Sequence, residues 1–282
     1  MKKVAVIQDM SSFGKCSLTA AIPVLSVMGI QACPLPTAVL TAQTAYPSFY
    51  VKDLTDEMNH FTTEWSKMDE SFDGIQTGFV TGKEQIDNIF RFLDVFQTND
   101  TMLLVDPVMG DDGELYKMYT QALLERMKQL VKRANILTPN ITECCLLTNS
   151  NYEKLHSYHD AKSFIHALEA IGQKLQQETN AQVIITGVHI PNNEPSEQTI
   201  GNLLIDHDET FFSKQPYNGQ SYSGTGDLFS AIVMGSVLRG QSLKAAIQLA
   251  ESFISSAIHD TALHNTDSKA GVNFEKFLIM LF

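Results

Sequence analysis

Apolar runs and amphipathic segments alternate along this chain. VAVI at 4 to 7, MLLV at 102 to 105, ANIL at 134 to 137 and QVIIT at 182 to 186 are short, β-branched runs that predict strands. Apolar residues at helical spacing predict helices near 16 to 29, 53 to 68, 84 to 97, 116 to 133, 158 to 178, 227 to 238 and 242 to 259. A strand without a polar face needs cover on both sides, which a parallel sheet between helices supplies. The pattern therefore predicts an α/β fold, a three-layer α/β/α sandwich around a mostly parallel central sheet. PNNEPSEQ at 191 to 198 is a polar turn, and IGNLLID followed by ETFFSK predicts an antiparallel hairpin added late. With no internal repeat or low-complexity tract, residues 1–282 are expected to form a single domain.

Composition narrows the partners. The 282 residues are 44% hydrophobic and 18% charged, enough for a large core. A formal charge of −12 disfavours nucleic acid and anionic membranes, which reward a basic surface. Cys16, Cys33, Cys144 and Cys145 show no CxxC spacing and read as reduced thiols in or near the core of a cytoplasmic protein. The apolar stretch of MKKVAVIQDM stops at Gln8 and Asp9, too short for a signal sequence, and no apolar span of ~18 residues follows.

Open parallel sheets place ligands beyond the carboxyl ends of their strands, so the residues after each strand carry the chemistry. After VAVI come Gln8 and Asp9; after MLLV come Asp106 and then Gly110-Asp111-Asp112-Gly113; after ANIL comes Thr138-Pro139-Asn140-Ile141-Thr142-Glu143; after QVII come Thr186 and Gly187. Any one of these acids alone is a helix cap or turn former. Asp9, Asp106, Asp111 and Glu143 together favour a metal or phosphate site.

In SYSGTGDLFSAIV, residues 221 to 233, two glycines flank Thr225 and Asp227 stands at the mouth of an apolar helix. Glycines let successive N–H groups turn towards one point, and the positive end of a helix dipole attracts an anion. Asp227 is either a carboxylate that stabilises the first turn or the group that takes the proton from a hydroxyl attacking a bound phosphate. GK at 14 and 15 is not a phosphate loop: Asp9 stands where that motif needs its first glycine, and Cys16 where it needs Ser or Thr. No GxGxxG follows the first strand, and no HExxH occurs, which argues against a dehydrogenase and a zinc hydrolase. His189 and His207 flank the hairpin and read as surface residues.

GTGD at 224 to 227, NxxE at Asn140 to Glu143 and VDPVMGD at 105 to 111, in that setting, resemble the ribokinase-like superfamily and, within it, the pyridoxal kinases. VIQDMSSFGKCS and TAQTAY narrow the resemblance, the first as a substrate loop after the first strand and the second as a pyridine contact around Thr44. The resemblance implies transfer of phosphate from ATP to the 5′-hydroxymethyl group of a vitamin B6 vitamer by a cytoplasmic homodimer. It implies that Asp227 is the base and that Gly224, Thr225 and Gly226 form the anion hole. Asn140 and Glu143 would hold Mg²⁺ through waters. Asp106 would sit near the β- and γ-phosphates, with Asp111 and Thr138 close to a cation, magnesium or a monovalent ion such as K⁺. Thr186 would reach a phosphate and residues 217 to 223 would border the adenine. Two positions depart from the pattern. Asp9 stands where a serine commonly touches the ring, and Phe79 replaces an aromatic hydroxyl. Asp9 would either favour an amine-bearing vitamer by charge pairing or point away from the ligand. Related hydroxymethylpyrimidine kinases often carry a cysteine after GTG; here the slot is Asp227-Leu228.

Overall fold

The structure, a computed structural model, describes residues 1–191, 198–217 and 219–282. Most of the polar turn read at 191 to 198, and position 218 of the expected adenine-bordering segment, lie outside the described residues. In chain order the strands and helices begin with β1 (Lys3–Ser11), α1 (Leu18–Val27), β2 (Gln31–Leu40), β3 (Val51–Asp53), α2 (Met58–Lys67), β4 (Gly74–Thr77), α3 (Lys83–Phe96) and β5 (Met102–Val105). They continue with β6 (Gly110–Asp111), β7 (Glu114–Leu115), α4 (Gln121–Leu130), β8 (Ile136–Leu137), α5 (Ile141–Thr148), α6 (Tyr152–His156), α7 (Ala161–Thr179) and β9 (Gln182–His189). The last are β10 (Thr199–Ile205), β11 (Thr210–Phe212), β12 (Gln215–Pro216), α8 (Thr225–Leu238) and α9 (Leu243–Leu263).

These elements divide into two compact units, Met1–Leu104 with Gln220–Phe282, and Val105–Gly219. In the first unit β1 is central, parallel to both β2 and β4, and β3 closes the edge antiparallel to β2. Val4 to Ile7 are completely buried, as a strand covered on both faces must be. The β1–β2 register slips between Gln8 and Met10, a bulge beside Asp9. α8 packs against α1, α9 and β4. Its Gly235 lets Met28 approach, since a Cβ there would lie 2.4 Å from the Met28 sulfur. α3 buries Ile86, Ile89, Phe92, Leu93 and Phe96, the stripe its sequence spacing predicts. Phe92 and Phe96 join Trp65 and Phe72 in an aromatic cluster with ring centroids 4.6 to 5.9 Å apart.

In the second unit β8 and β9 are parallel, whereas β10 runs antiparallel to β9, β11 and β12. The late hairpin predicted from IGNLLID and ETFFSK is β10 and β11. α7 lies on β9 and β10. It starts at Asp160, whose carboxylate accepts the Ser163 N–H, and buries Phe164, Leu168, Gly172 and Leu175. Gly172 lets helix and sheet meet, because a Cβ there would fall 2.8 Å from Ile205.

Three elements differ from the sequence expectation. β2 carries Pro34 and Pro36, which normally argue against a strand, but β3 pairs only with Ala38–Leu40, so both prolines lie where the outer edge of β2 has no ladder to interrupt. β4 is GIQT, a buried strand disguised by Gln76, whose amide donates to the Ser230 hydroxyl at 3.1 Å. α5 starts at the NxxE stretch, where the apolar spacing predicts no helix.

Phe92 is almost fully buried. Phe92→Ala is expected to lower unfolding free energy by ~3–5 kcal/mol while leaving turnover per folded molecule unchanged, measured by urea unfolding alongside activity.

Candidate active site

The GTGD stretch is the start of α8. Gly224 is the residue before the helix and has φ +82°, in the left-handed region. A Cβ at this position would stand 2.2 Å from the Lys15 carbonyl oxygen, so the chain needs glycine here for conformation and for space. No side chain caps the helix, and its first intrahelical bond runs from the Leu228 N–H to the Gly224 carbonyl. The amides of Thr225, Gly226 and Asp227 thus lie ahead of any intrahelical acceptor, at the positive end of the dipole. Gly226 is exposed, and a Cβ there would meet nothing within 4 Å, which leaves open space at the mouth of the helix. This is a cradle that a small anion fits.

Asp227 keeps part of its surface accessible while protein surrounds the rest. Burial pushes its carboxyl up to about 7; the Ser17 backbone N–H opposes that rise and the negative charge of Asp9 adds to it. Asp9, on β1, is buried, and its carboxylate accepts hydroxyl hydrogen bonds from Ser11 at 2.8 Å and Ser17 at 2.5 Å. Burial raises its own pKa, with the two serines acting against it. Cys16, buried in the same loop, has its thiol raised out of the physiological range by burial and by both aspartates, so it is no nucleophile.

Around these groups the unit presents several polar atoms. The Gln8 amide nitrogen is buried without a partner among the described residues, and so is the Thr77 hydroxyl. Thr44 lies half-buried in the turn after β2, and half-buried Phe79 accepts the Thr37 hydroxyl on its carbonyl. Gln43, which sequence reasoning passed over, donates to the Ser223 hydroxyl at 2.9 Å and the Lys269 carbonyl at 3.2 Å, tying the turn after β2 to the approach of α8. Lys15 of the rejected GK pair reaches Asn273 and Glu275.

In the second unit, NxxE is a capping box. The Asn140 side chain accepts the Glu143 N–H at 2.9 Å, and Glu143 accepts the Asn140 N–H at 2.9 Å. The other Glu143 oxygen accepts the Met109 N–H at 3.0 Å, and the Asn140 amide donates to the Gly110 carbonyl at 2.7 Å. This arrangement fixes Glu143 in a buried position, where burial first and Asp106 second raise its pKa well above the usual range. Asp106 is buried; Asp111 is exposed on the β6–β7 hairpin. Thr138 donates its N–H to the Val105 carbonyl, and its buried hydroxyl has no partner among the described residues. Thr186 pairs with Asn140 as an isolated parallel bridge, which sets it beside the capping box.

No group of three or more His, Cys, Asp or Glu side chains forms a metal cage among the described residues. The donors present nevertheless fit a hydrated hard cation. Two repelling buried carboxylates and a free hydroxyl are oxygen ligands, and Mg²⁺ retains several of its waters. All four cysteines are free, with Cys16, Cys144 and Cys145 buried. His189 and His207 are exposed, as expected. No helix among the described residues is long and apolar enough to cross a membrane.

The model of the phosphomethylpyrimidine kinase family matches residues 12–273, and the chain belongs to that family. It is 26% identical to the hydroxymethylpyrimidine/phosphomethylpyrimidine kinase of Bacillus subtilis over 260 residues, covering 92% of this chain and 90% of the relative. The crystal structure of pyridoxal kinase from Lactobacillus plantarum superposes with a TM-score of 0.87 at 29% identity, covering 100% of this chain and 96% of that one. A candidate phosphomethylpyrimidine kinase from Bacteroides thetaiotaomicron, in a crystal form with pyridoxal, gives 0.89 at 36% identity over 99% and 95% of the two chains. The chain is therefore a kinase of the ribokinase-like superfamily, with a mostly parallel mixed sheet, helices on both sides and the late antiparallel hairpin.

Two glycines separate conformation from ligand space. Gly224→Ala is expected to destabilise the protein by ~2 kcal/mol or more and abolish turnover. Gly226→Ala is expected to hold or raise stability by up to ~1 kcal/mol, because alanine is the better helix former, while kcat/KM falls ~10-fold or more as the methyl fills the cradle. Thermal unfolding beside steady-state kinetics checks both. Since the folded state raises the pKa of Asp227, its contribution to stability is full at low pH and is lost as pH rises towards about 7. Asp227→Asn, neutral throughout, is accordingly expected to melt higher than the native protein above that pH and to show no advantage well below it.

Proposed function

We propose that the chain transfers the terminal phosphoryl group of ATP to the 5′-hydroxymethyl group of pyridoxal, pyridoxine or pyridoxamine. The observation that carries this reading is Asp227, a carboxylate with a pKa near 7 at the mouth of an uncapped helix beside an open-faced glycine. A base poised near neutral pH is matched to removing a proton from an alcohol. As the hydroxymethyl oxygen attacks the γ-phosphorus, its proton passes to Asp227, the new O–P bond forms, and the bond to the leaving ADP oxygen breaks. The amides of Gly224, Thr225 and Gly226 receive the migrating phosphoryl, whose negative charge the α8 dipole favours.

Thr44, Phe79 and Asp9 are assigned to the vitamer side on the strength of the sequence resemblance. Asp106, Asn140, Glu143 and Thr186 are assigned to the nucleotide. Asp106, Asp111, Thr138 and Glu143 would hold the cations, Mg²⁺ and a monovalent ion such as K⁺. When bound, Mg²⁺ neutralises charge on the β- and γ-phosphates. The unbroken family match supports one kinase domain, and the resemblance supports a cytoplasmic homodimer.

A second reading, phosphorylation of hydroxymethylpyrimidine, is favoured by the family model and by the Bacillus subtilis relative. Against it stand the missing cysteine after GTG and the pyridoxal in the Bacteroides crystal form.

ADP release from Mg·ATP separates these readings. The vitamers are expected to exceed hydroxymethylpyrimidine by at least ~10-fold in kcat/KM, and the reverse order overturns the substrate assignment while keeping the kinase. Asp227→Asn is expected to lower kcat by at least ~100-fold with nucleotide affinity kept; a loss of only a few-fold returns Asp227 to the role of helix cap. In the native enzyme kcat is expected to fall with unit slope below pH about 7, as Asp227 becomes protonated.

A further inference from the structure

The first turn of α8 has no side-chain cap, and an uncapped start is the loosest part of a helix. Gly224 and Gly226 loosen it further, because glycine has the most backbone freedom to lose. Its anchor comes from the carbonyl side. The Ser230 hydroxyl donates to the Asp227 carbonyl at 3.2 Å and accepts the Gln76 amide at 3.1 Å, so two hydrogen bonds in series tie the first turn to β4. Gln76 and Ser230 are both buried. β4 and α8 pack closely along this line, since a Cβ at Gly74 would stand 2.9 Å from the Met234 sulfur. Two residues of strand advance about 6.6 Å and four of helix about 6 Å, so Gly74 beside Met234 and Gln76 beside Ser230 keep step. One step further, the line runs to the turn that carries Asp227. Stability alone does not explain the glutamine. Its amide oxygen has no partner among the described residues, a cost that an apolar side chain of similar size would avoid.

We propose that Gln76 and Ser230 are positioning residues for the base: the β4 amide fixes the Ser230 hydroxyl, and that hydroxyl fixes the Asp227 peptide, so the carboxylate and the amides of residues 225 to 227 keep one orientation. A cap would occupy the N–H groups that the phosphoryl needs. Ser230 acts on the carbonyl instead and leaves them open. A serine that bonds back to a helix carbonyl is slightly unfavourable in a helix interior, which fits a residue kept for position more than for stability. Both residues act through Asp227 and not on the reacting atoms. This rests on the reading of Asp227 as base.

The test is a double-mutant cycle of Gln76→Met and Ser230→Ala, with Ser236→Ala and Asp227→Asn beside it, each followed by kcat, KM for both substrates and melting temperature. Each single variant of the cycle is expected to lower kcat ~10-fold or more with KM nearly unchanged, and the double variant little further, because the two residues act in series. Stability is expected to follow a different order. Ser230→Ala strands the Gln76 amide in the core and melts lowest, whereas the double variant removes both partners and melts higher. A kcat that stays low in the double variant while its melting temperature recovers separates positioning from folding. Should Ser230→Ala not fold, the double variant stands in for it, with kcat expected near that of Gln76→Met. Ser236 is buried on the same helix and its hydroxyl has no partner among the described residues, so Ser236→Ala is the control and is expected to keep the native kcat. Additive losses, a kcat that recovers with the melting temperature, an equal loss in Ser236→Ala, or a loss confined to KM overturns the proposal. Asp227→Asn distinguishes the two levels. If it loses activity while Gln76→Met and Ser230→Ala turn over like the native enzyme, only the positioning role falls; if it stays active, the base assignment falls and this inference with it.

Discussion

Backbone packed directly on backbone is the constraint on which the first unit depends. At Gly224 a Cβ would stand 2.2 Å from the Lys15 oxygen, and at Gly271 one would stand 2.3 Å from the Gly14 oxygen. Three separate stretches, the loop before α1, the entry to α8 and the turn before the C-terminus, close to a distance that side chains forbid. Gln43 and the Ser223 to Ser268 backbone bond hold the same junction from the side. That closeness sets the Lys15–Cys16 backbone against the entry to α8, whose first amides have no side-chain cap and open space at Gly226.

The junction carries an electrostatic cost. Asp9 and Asp227 are both drawn from water, and burial raises both pKa values, with the charge of Asp9 adding to the rise at Asp227 while the Ser11 and Ser17 hydroxyls favour the ionised form of Asp9. An apolar core would be more stable than this pair of acids. The second unit shows the same logic in a different dress. Glu143 is kept by two backbone N–H groups against burial and the charge of Asp106, and the partnerless Thr138 hydroxyl stands in the same unit. Each unit thus holds buried acids whose ionisation burial disfavours, which suits a cation in one and proton transfer in the other.

The sequence made some of this legible and hid the rest for physical reasons. GTGD could be read because glycine, dipole and apolar periodicity all act locally, and α8 begins where they say it should. The hairpin was legible from two short apolar runs, IGNLLID and ETFFSK, that follow a polar turn. NxxE was seen as chemistry, and its local geometry turned out to be a capping box, a helix start that a string of polar residues concealed. β2 was hidden by two prolines that only an open edge tolerates, and β4 by a glutamine whose partner, Ser230, is 154 residues away. Ser17 could not have been read at all. Nothing in SSFGKCSL says that a serine takes a positive φ or that its hydroxyl turns to Asp9, eight residues earlier on β1.

The claim at the centre is that the amides opening α8 receive a phosphoryl group while Asp227 deprotonates the alcohol that accepts it. A crystal structure of the protein with pyridoxal and a non-hydrolysable ATP analogue tests it most directly. The account predicts the terminal phosphoryl seated on the amides of Thr225 to Asp227 and the 5′-hydroxyl hydrogen-bonded to the Asp227 carboxylate. A terminal phosphoryl bound elsewhere, with those amides facing only water, would contradict it.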